Sequence, residues 1–327
     1  MRCLWLNTQS PSFNLATEEY LLKQTTDDVF MLWQNRDSVI VGRHQNTLAE
    51  IDTDFVEREK ITVVRRLTGG GAVFHDLGNL NFTFIQNISS REKEIDFHRY
   101  LQPIVNALQS LGVPATFSGR NDLVIDGKKI SGNAMTFHGN RVLEHGTLLF
   151  STLQSKLTGA LKADPLKFQD KAVKSVRSRV TNISEHLPRP MDVLAFKDYL
   201  MQFVMQSFGA TEPDTLTPEE EAIIRKLDCT RYSTWEWNFG TSPQYTLTKK
   251  IKTAGGILEA MTDVQNGCIR DVRFFGDFFS TKEPEELANL LIGQPHDRAS
   301  LAKELGTVSV SDYFNGVSAE ELLSLLI

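Results

Sequence analysis

Short apolar runs bounded by turn residues dominate the first half of the chain. Residues 29–33, 38–42, 61–65, 72–75 and 80–85 are β-branched, aromatic or aliphatic and read as strands. Segments 123–125 and 129–131 flank Asp126-Gly127, and 134–137 faces 141–150 across Gly139-Asn140, so two hairpins are expected. Helical spacing marks residues 14–23, with Asn14 as the expected N-cap. It also marks residues 97–111, where Leu101, Ile104, Val105 and Leu108 share a face before Gly112. The first of these helices carries Glu18 and Glu19 among its apolar positions, which turns a carboxylate inward.

From 151 to 181 the chain becomes polar, basic and irregular, and helices follow at 192–207 and 218–227. A composition break falls near Thr248. Beyond it, 245–253, 256–262 and 269–275 alternate as strands, with Asn266-Gly267 as a turn and helices from Glu283 onward. This reads as an α+β protein with mixed β-sheets and flanking helices over residues 1–245, followed by a small α+β C-terminal domain over 248–327. The first half lacks a regular βαβ rhythm, which argues against a doubly wound dinucleotide fold.

Composition narrows the class. The 327 residues are 41% hydrophobic and 23% charged, enough for a sizeable core. A net charge of −6 excludes a general polyanion binder, so no nucleic-acid partner is expected, but it leaves room for a local basic pocket. Cys3, Cys229 and Cys268 are far apart and form no CxxC pair, which removes a disulfide framework and a structural zinc site. No run approaches ~18 apolar residues, so no membrane association is expected and a cytoplasmic, monomeric protein is.

The densest chemical signal is Arg65-Arg66-Leu67-Thr68-Gly69-Gly70-Gly71-Ala72-Val73-Phe74-His75. Two arginines end a strand, and a turn of three glycines leaves peptide N–H groups open to phosphate oxygens that guanidinium forks also bind. It matches neither of the two commonest nucleotide-loop patterns. On these residues alone, a flexible hairpin flanked by solvated arginines is the other reading. A second cluster joins Asn121 and Asp122 to the hairpin Lys128-Lys129-Ile130-Ser131-Gly132. With Ile130 in the core, alternation turns Lys129 to the opposite face, a movable positive charge for a phosphate or oxyanion. Asn121 and Asp122 offer hard oxygen donors for a magnesium ion, and a Lys-rich hairpin tip in water is the other reading. His145 and Thr147 lie on one strand face, compatible with a core-edge histidine. The run from Lys174 to Val180 reads as a basic lid or a solvated charge run. Trp235 and Trp237 read as packing residues two apart on a strand.

Together the strings RRLTGGGAVFHDLGNLNFTF, GRNDL, KKISGNAM, HGTLL, KSVRSRVTN and STWEWNFG, in this order, resemble the lipoate–protein ligases of the long bacterial form. The resemblance implies a catalytic fold shared with biotin–protein ligases and related to class II aminoacyl-tRNA synthetases. It implies a two-step reaction in which lipoate and MgATP give lipoyl-adenylate, and a specific lysine of an acceptor domain then takes the lipoyl group. The acceptors so implied are lipoyl domains of 2-oxoacid dehydrogenase complexes or the glycine cleavage H protein. It assigns ATP and adenylate to Arg66, Gly71, Ala72, Val73, Phe74, Asn121, Asp122, Lys129, Ser175, Arg177 and Arg179, with Asp122 as the magnesium ligand. It assigns lipoate to Trp33, Arg65, His75, Lys129, His145 and Thr147, and catalysis to Lys129. One departure is Leu67-Thr68, where many members have small polar pairs. A lipoyl or octanoyl transferase and a non-catalytic acceptor-binding relative are the alternatives on this fold. The lack of a cysteine near the clusters argues against the first, and retention of Arg65, Arg66, the glycines and Lys129 against the second.

Overall fold

The computed structural model describes residues 1–89, 94–119, 121–161, 180–239, 247–265 and 267–327. The largest sheet is built from β1 (Arg2–Trp5), β2 (Val29–Trp33), β6 (Asn79–Asn87), β7 (Thr116–Ser118), β8 (Asp122–Ile125), β9 (Lys128–His138) and β10 (Arg141–Leu149), in the order β1-β2-β6-β10-β9-β8-β7. Only β1 and β2 run parallel. A small sheet sets β3 (Ser38–Val41) between β4 (Thr62–Arg65), parallel, and β5 (Val73–His75), antiparallel. The C-terminal sheet is the antiparallel meander of β11 (Leu247–Thr253), β12 (Gly256–Gln265) and β13 (Cys268–Gly276). The α+β class with mixed sheets is therefore as the sequence pattern implies.

The central strand β10 is buried along its whole length, because both faces of the large sheet are covered. Val142 and Leu148 pack with the Phe97–Ser110 and Val193–Ser207 helices. Leu143 faces the Pro11–Gln24 helix, together with Met31, Trp33, Ile40 and Val64. The intervening residues His145 and Thr147 thus point into the layer between the large sheet, the small sheet and the first helix.

Several boundaries differ from the sequence pattern. The first helix starts at Pro11, not Asn14, and Ser10 is its N-cap, accepting from the Phe13 N–H. Proline at the first helical position gives up no hydrogen bond there, which moves the start upstream. Asn14 is instead buried and donates to the Gln34 carbonyl and Asn35 Oδ1. Trp235 to Asn238 form a short helix rather than a strand, because Thr234 caps it through the Trp237 N–H. A helix at Gln154–Ala160 stands in the stretch expected to be irregular. The start of the 245–253 strand and Asn266 of the expected turn lie outside the described residues.

The C-terminal sheet docks onto the glycine turn. Gly70 adopts a φ of 89°, and its N–H donates to the Phe278 carbonyl at 3.2 Å. The Gly276 N–H donates to the His44 carbonyl at 2.8 Å, and the His44 ring stacks on Phe278 at 4.7 Å. Phe279 is fully buried in the main hydrophobic core against Phe97, with 5.1 Å between ring centroids.

Two stability consequences follow from these core positions. Phe279→Ala should cost about 3–5 kcal/mol in denaturant unfolding, as other buried Phe truncations do. Glu144 on β10 is fully buried among apolar residues, and neither carboxyl oxygen has a partner among the described residues. Burial, with Glu18 adding, pushes its carboxyl well above the ordinary 4.5. The folded chain therefore keeps a proton that the unfolded chain releases, and wild-type stability falls as pH rises through and above that ordinary value. Glu144→Met should be more stable by about 1–3 kcal/mol near pH 4, and the gap should widen toward neutral pH. A gap that narrows with rising pH contradicts this assignment.

Candidate active site

Arg65 ends β4 and Arg66 follows it, and as neighbours on extended backbone they point to opposite sides. Arg66 turns inward. Its Nη2 donates to the Gly69 and Gly71 carbonyls at 2.6 and 2.9 Å, its Nη1 to the Ile40 carbonyl at 3.2 Å, and its Nε to Thr68 Oγ1 at 2.9 Å. The guanidinium thus folds the glycine turn around itself. Loss of water draws its pKa down to about 10, opposed by Glu18 and reinforced by Arg65, so it stays charged at neutral pH.

A cavity lies beside this turn, bordered by Arg66, Gly71, Ala72 and Val73 on one side. Trp33, His75, His145 and Thr147 form further wall, and Asn121 and Lys129 border it from β8, β9 and the turn before them. Ten residues that the sequence scatters between positions 33 and 147 are thereby brought to one space. Leu15, Ile40 and Ala134 supply apolar wall that sequence reasoning did not single out, and Asn81 and Asn133 polar wall.

Lys129 reaches this space because of a β-bulge between β8 and β9, where the register shifts at Leu123/Val124. Ile130 is fully buried while Lys129 is half-buried and Lys128 exposed, so the alternation that distinguishes the two lysines holds. Lys129 Nζ lies 2.9 Å from Asp122 Oδ1 and passes close over Gly132, where an added Cβ would sit 2.8 Å from the ammonium. The Lys129 carbonyl accepts from the Thr181 N–H at 3.0 Å, which tethers the end of the basic segment beside the lysine.

His145 is held at both ring nitrogens. Nδ1 lies 2.9 and 3.0 Å from the Glu18 oxygens, and Nε2 lies 2.8 Å from Thr68 Oγ1. Thr83 Oγ1 also donates to Glu18 Oε1 at 2.5 Å and accepts from Trp33 Nε1 at 2.9 Å. His75 accepts at Nδ1 from Asn35 Nδ2 at 3.0 Å, so its proton sits on Nε2. Burial, then Arg66 and His145, hold its pKa down to about 3, and the ring is neutral at working pH.

Three expected residues lie elsewhere. Arg65 does not border the cavity. Its guanidinium donates to the carbonyls of Gly42, Arg43, Gln45 and Trp237 and to Thr47 Oγ1, while Trp237 Nε1 donates to its carbonyl. It fastens the 42–47 loop to the Trp235–Asn238 helix, an architectural role that replaces the expected acyl contact. Phe74, between Val73 and His75 on β5, faces away from the cavity and packs with Val39, Val63 and Ile51. Asp122 stands at the rim, paired with Lys129. Asn121 spends its amide on the Asn133 carbonyl. Ser175, Arg177 and Arg179 lie outside the described residues. Glu18 and Thr68 contact His145 and were given no site role in the sequence reading. Their only signals were an inward carboxylate on an apolar helix face and one departure inside a motif.

The model of the lipoyl protein ligase A/B catalytic domain matches residues 10–204, and that of the bacterial lipoate protein ligase C-terminus matches residues 242–326. Lipoate-protein ligase LplJ of Bacillus subtilis is 39% identical over 324 residues, spanning 98% of each chain. Lipoate–protein ligase 1 of Staphylococcus aureus is 40% identical over 324 residues, again 98% of each. The structure of P. falciparum LipL1 in complex with lipoate shares the fold at a TM-score of 0.79, covering 94% of both chains at 23% identity. A bi-partite lipoate protein ligase of Thermoplasma acidophilum, described with its E2 lipoyl domain, gives 0.66 over 75% of this chain and 98% of its own, at 31% identity. A lipoate-protein ligase A bound with ATP gives 0.63 over 74% of this chain and 99% of its own, at 28% identity. With both family models matched in order and relatives aligned from end to end, the chain belongs to the lipoate–protein ligase family.

Proposed function

We propose that the enzyme activates lipoate with ATP and passes the lipoyl group to a lysine of a lipoyl acceptor domain, of a 2-oxoacid dehydrogenase complex or the glycine cleavage H protein. The observation that carries this reading is the placement of two cations, Arg66 and Lys129, on the wall of one cavity that also has an apolar part made by Leu15, Trp33, Ile40, Val73 and Ala134. An acyl chain needs the apolar wall, and a carboxylate meeting a triphosphate needs the charge.

In the first step the lipoate carboxylate oxygen attacks the α-phosphorus, the bond to the bridging oxygen breaks, and pyrophosphate leaves. In the second, the acceptor amine attacks the acyl carbon and AMP leaves, carrying the electron pair of the broken acyl–oxygen bond. Neither step uses a covalent bond to the enzyme. Lys129 and Arg66 offset the negative charge that gathers on the α-phosphate. The Asp122 partner holds the Lys129 ammonium at the rim until substrate oxygens replace it. A magnesium ion carried in by ATP phosphates commonly takes only one or two protein carboxylates. Among the described residues no group of three His, Cys, Asp or Glu forms a metal cage, and Asp122 is the carboxylate at hand for such an ion. The ion would neutralise phosphate charge there. Ser175, Arg177 and Arg179 are assigned to closure over the adenylate by resemblance to the family.

Cys3 is buried, and none of the three cysteines borders the cavity, which disfavours an acyl-cysteine transferase. Replacing all three by Ser should leave turnover near wild type in a folded sample. Loss of acyl transfer with adenylation intact would revive the transferase. The principal test is pyrophosphate release on mixing with lipoate and ATP, with acceptor acylation followed by mass. Lys129→Ala should lower adenylation by at least about 10²–10³, and Lys128→Ala should change it little. Arginine should not restore position 129, because a planar fork does not replace a compact ammonium in a tight site. If Lys128→Ala is the inactive variant, or both retain wild-type rates, the assignment fails.

A further inference from the structure

Six side chains on five separate segments form one unbroken hydrogen-bonded chain under the cavity: Trp33, Thr83, Glu18, His145, Thr68 and Arg66. Its two ends are groups that only donate, an indole N–H and a guanidinium N–H. From the Trp33 end, Thr83 receives a proton contact and sends its own hydroxyl proton to Glu18. From the Arg66 end, Thr68 receives the Nε–H and has a single proton left, which the 2.8 Å contact directs to His145 Nε2. That nitrogen must then be bare, and the ring proton sits on Nδ1, facing Glu18 at 2.9 Å. The reverse arrangement would leave the Thr68 hydroxyl proton orphaned in a fully buried position, which a buried donor avoids. Protons pushed inward from both ends must meet a group that only accepts.

We propose that Glu18 is a positioning residue of the ligase site. Resting on the adenylation reading above, it acts as the acceptor-only junction that fixes the His145 tautomer and holds the acyl-side Trp33 and the phosphate-side Arg66 in register. Glutamine has nearly the same shape and fails this requirement. Its oxygen at the Oε1 position can still meet both the Thr83 hydroxyl at 2.5 Å and Nδ1 at 2.9 Å, but its amide N–H₂ replaces the second oxygen, 3.0 Å from Nδ1, and there confronts the Nδ1–H. A tautomer switch relieves that confrontation, and it reverses the branch that leads to Arg66.

The full-length protein is labelled with ¹⁵N-histidine, and the His145 signals are identified by their loss in His145→Gln. Wild type should show a protonated Nδ1 and a bare Nε2, and Glu18→Gln should show the opposite pattern. In steady-state pyrophosphate release, Thr83→Val should raise the KM for lipoate and leave that for ATP unchanged. Thr68→Val should lower kcat or raise the KM for ATP and leave the lipoate KM unchanged. Glu18→Gln, at the junction, should show both effects, each of order tenfold for one lost buried hydrogen bond. A wild-type Nε2–H tautomer overturns the proposal. So does a Glu18→Gln enzyme with wild-type constants, or one whose loss only matches its unfolded fraction. If Glu18→Gln does not fold, the wild-type tautomer and the Thr68→Val split decide the matter alone. Wild type with the Nδ1–H tautomer and no pyrophosphate release would overturn the adenylation reading and leave the relay standing.

Discussion

Two guanidinium groups are buried side by side where β4 ends, and a buried cation needs an acceptor for nearly every N–H. That demand organises the site. Arg65 gathers carbonyls from the 42–47 loop and the Trp235–Asn238 helix, and Arg66 gathers those of Ile40, Gly69 and Gly71. A Cβ on Gly69 would meet the Phe278 carbonyl at 2.2 Å, and Gly70, at a φ of 89°, would bring one to 3.0 Å from Arg66 Nη2, so glycine follows glycine there. The turn is shaped by solvating Arg66 with peptide oxygens. The same residue delivers its charge to the cavity wall.

Much of the fold was legible because its strands carry their own punctuation. Asp126-Gly127 and Gly139-Asn140 turn the chain where the hydrophobic alternation stops, and the hairpins of β8, β9 and β10 follow. The first helix was harder, since Pro11 and Ser10 set its start ahead of the apolar periodicity that suggested Asn14. The two tryptophans near 235 carry the same two-residue spacing in a strand as in a short capped helix. Only the Thr234 cap resolves that ambiguity.

The cavity was legible where chemistry and strand alternation agreed, as for Lys129 against Lys128. It was misread where alternation should have overruled the motif. Arg65 and Phe74 lie inside the motif string, yet side chains alternate along a strand, and theirs turn away from the neighbours that border the cavity. Thr68 was read as a departure from a pattern. Its hydroxyl bridges Arg66 and His145, a relation between residues 77 positions apart that no local spacing encodes. Glu18 reaches the same network from a third element, and its role depends on which partners only donate.

The insertion of Phe279 into the catalytic core has a consequence for what counts as a part of this molecule. By sequence the chain divides near residue 248, but a ring from beyond that point completes the packing around Phe97, and the neighbouring Phe278 carbonyl caps Gly70. The energetic boundary therefore does not coincide with the covalent one. A chain severed between Phe239 and Leu247 would yield two fragments that each display the other's missing surface. The linker then serves chiefly to raise the effective concentration of one piece beside the other. An organism could encode the two as separate polypeptides and recover the same core by association.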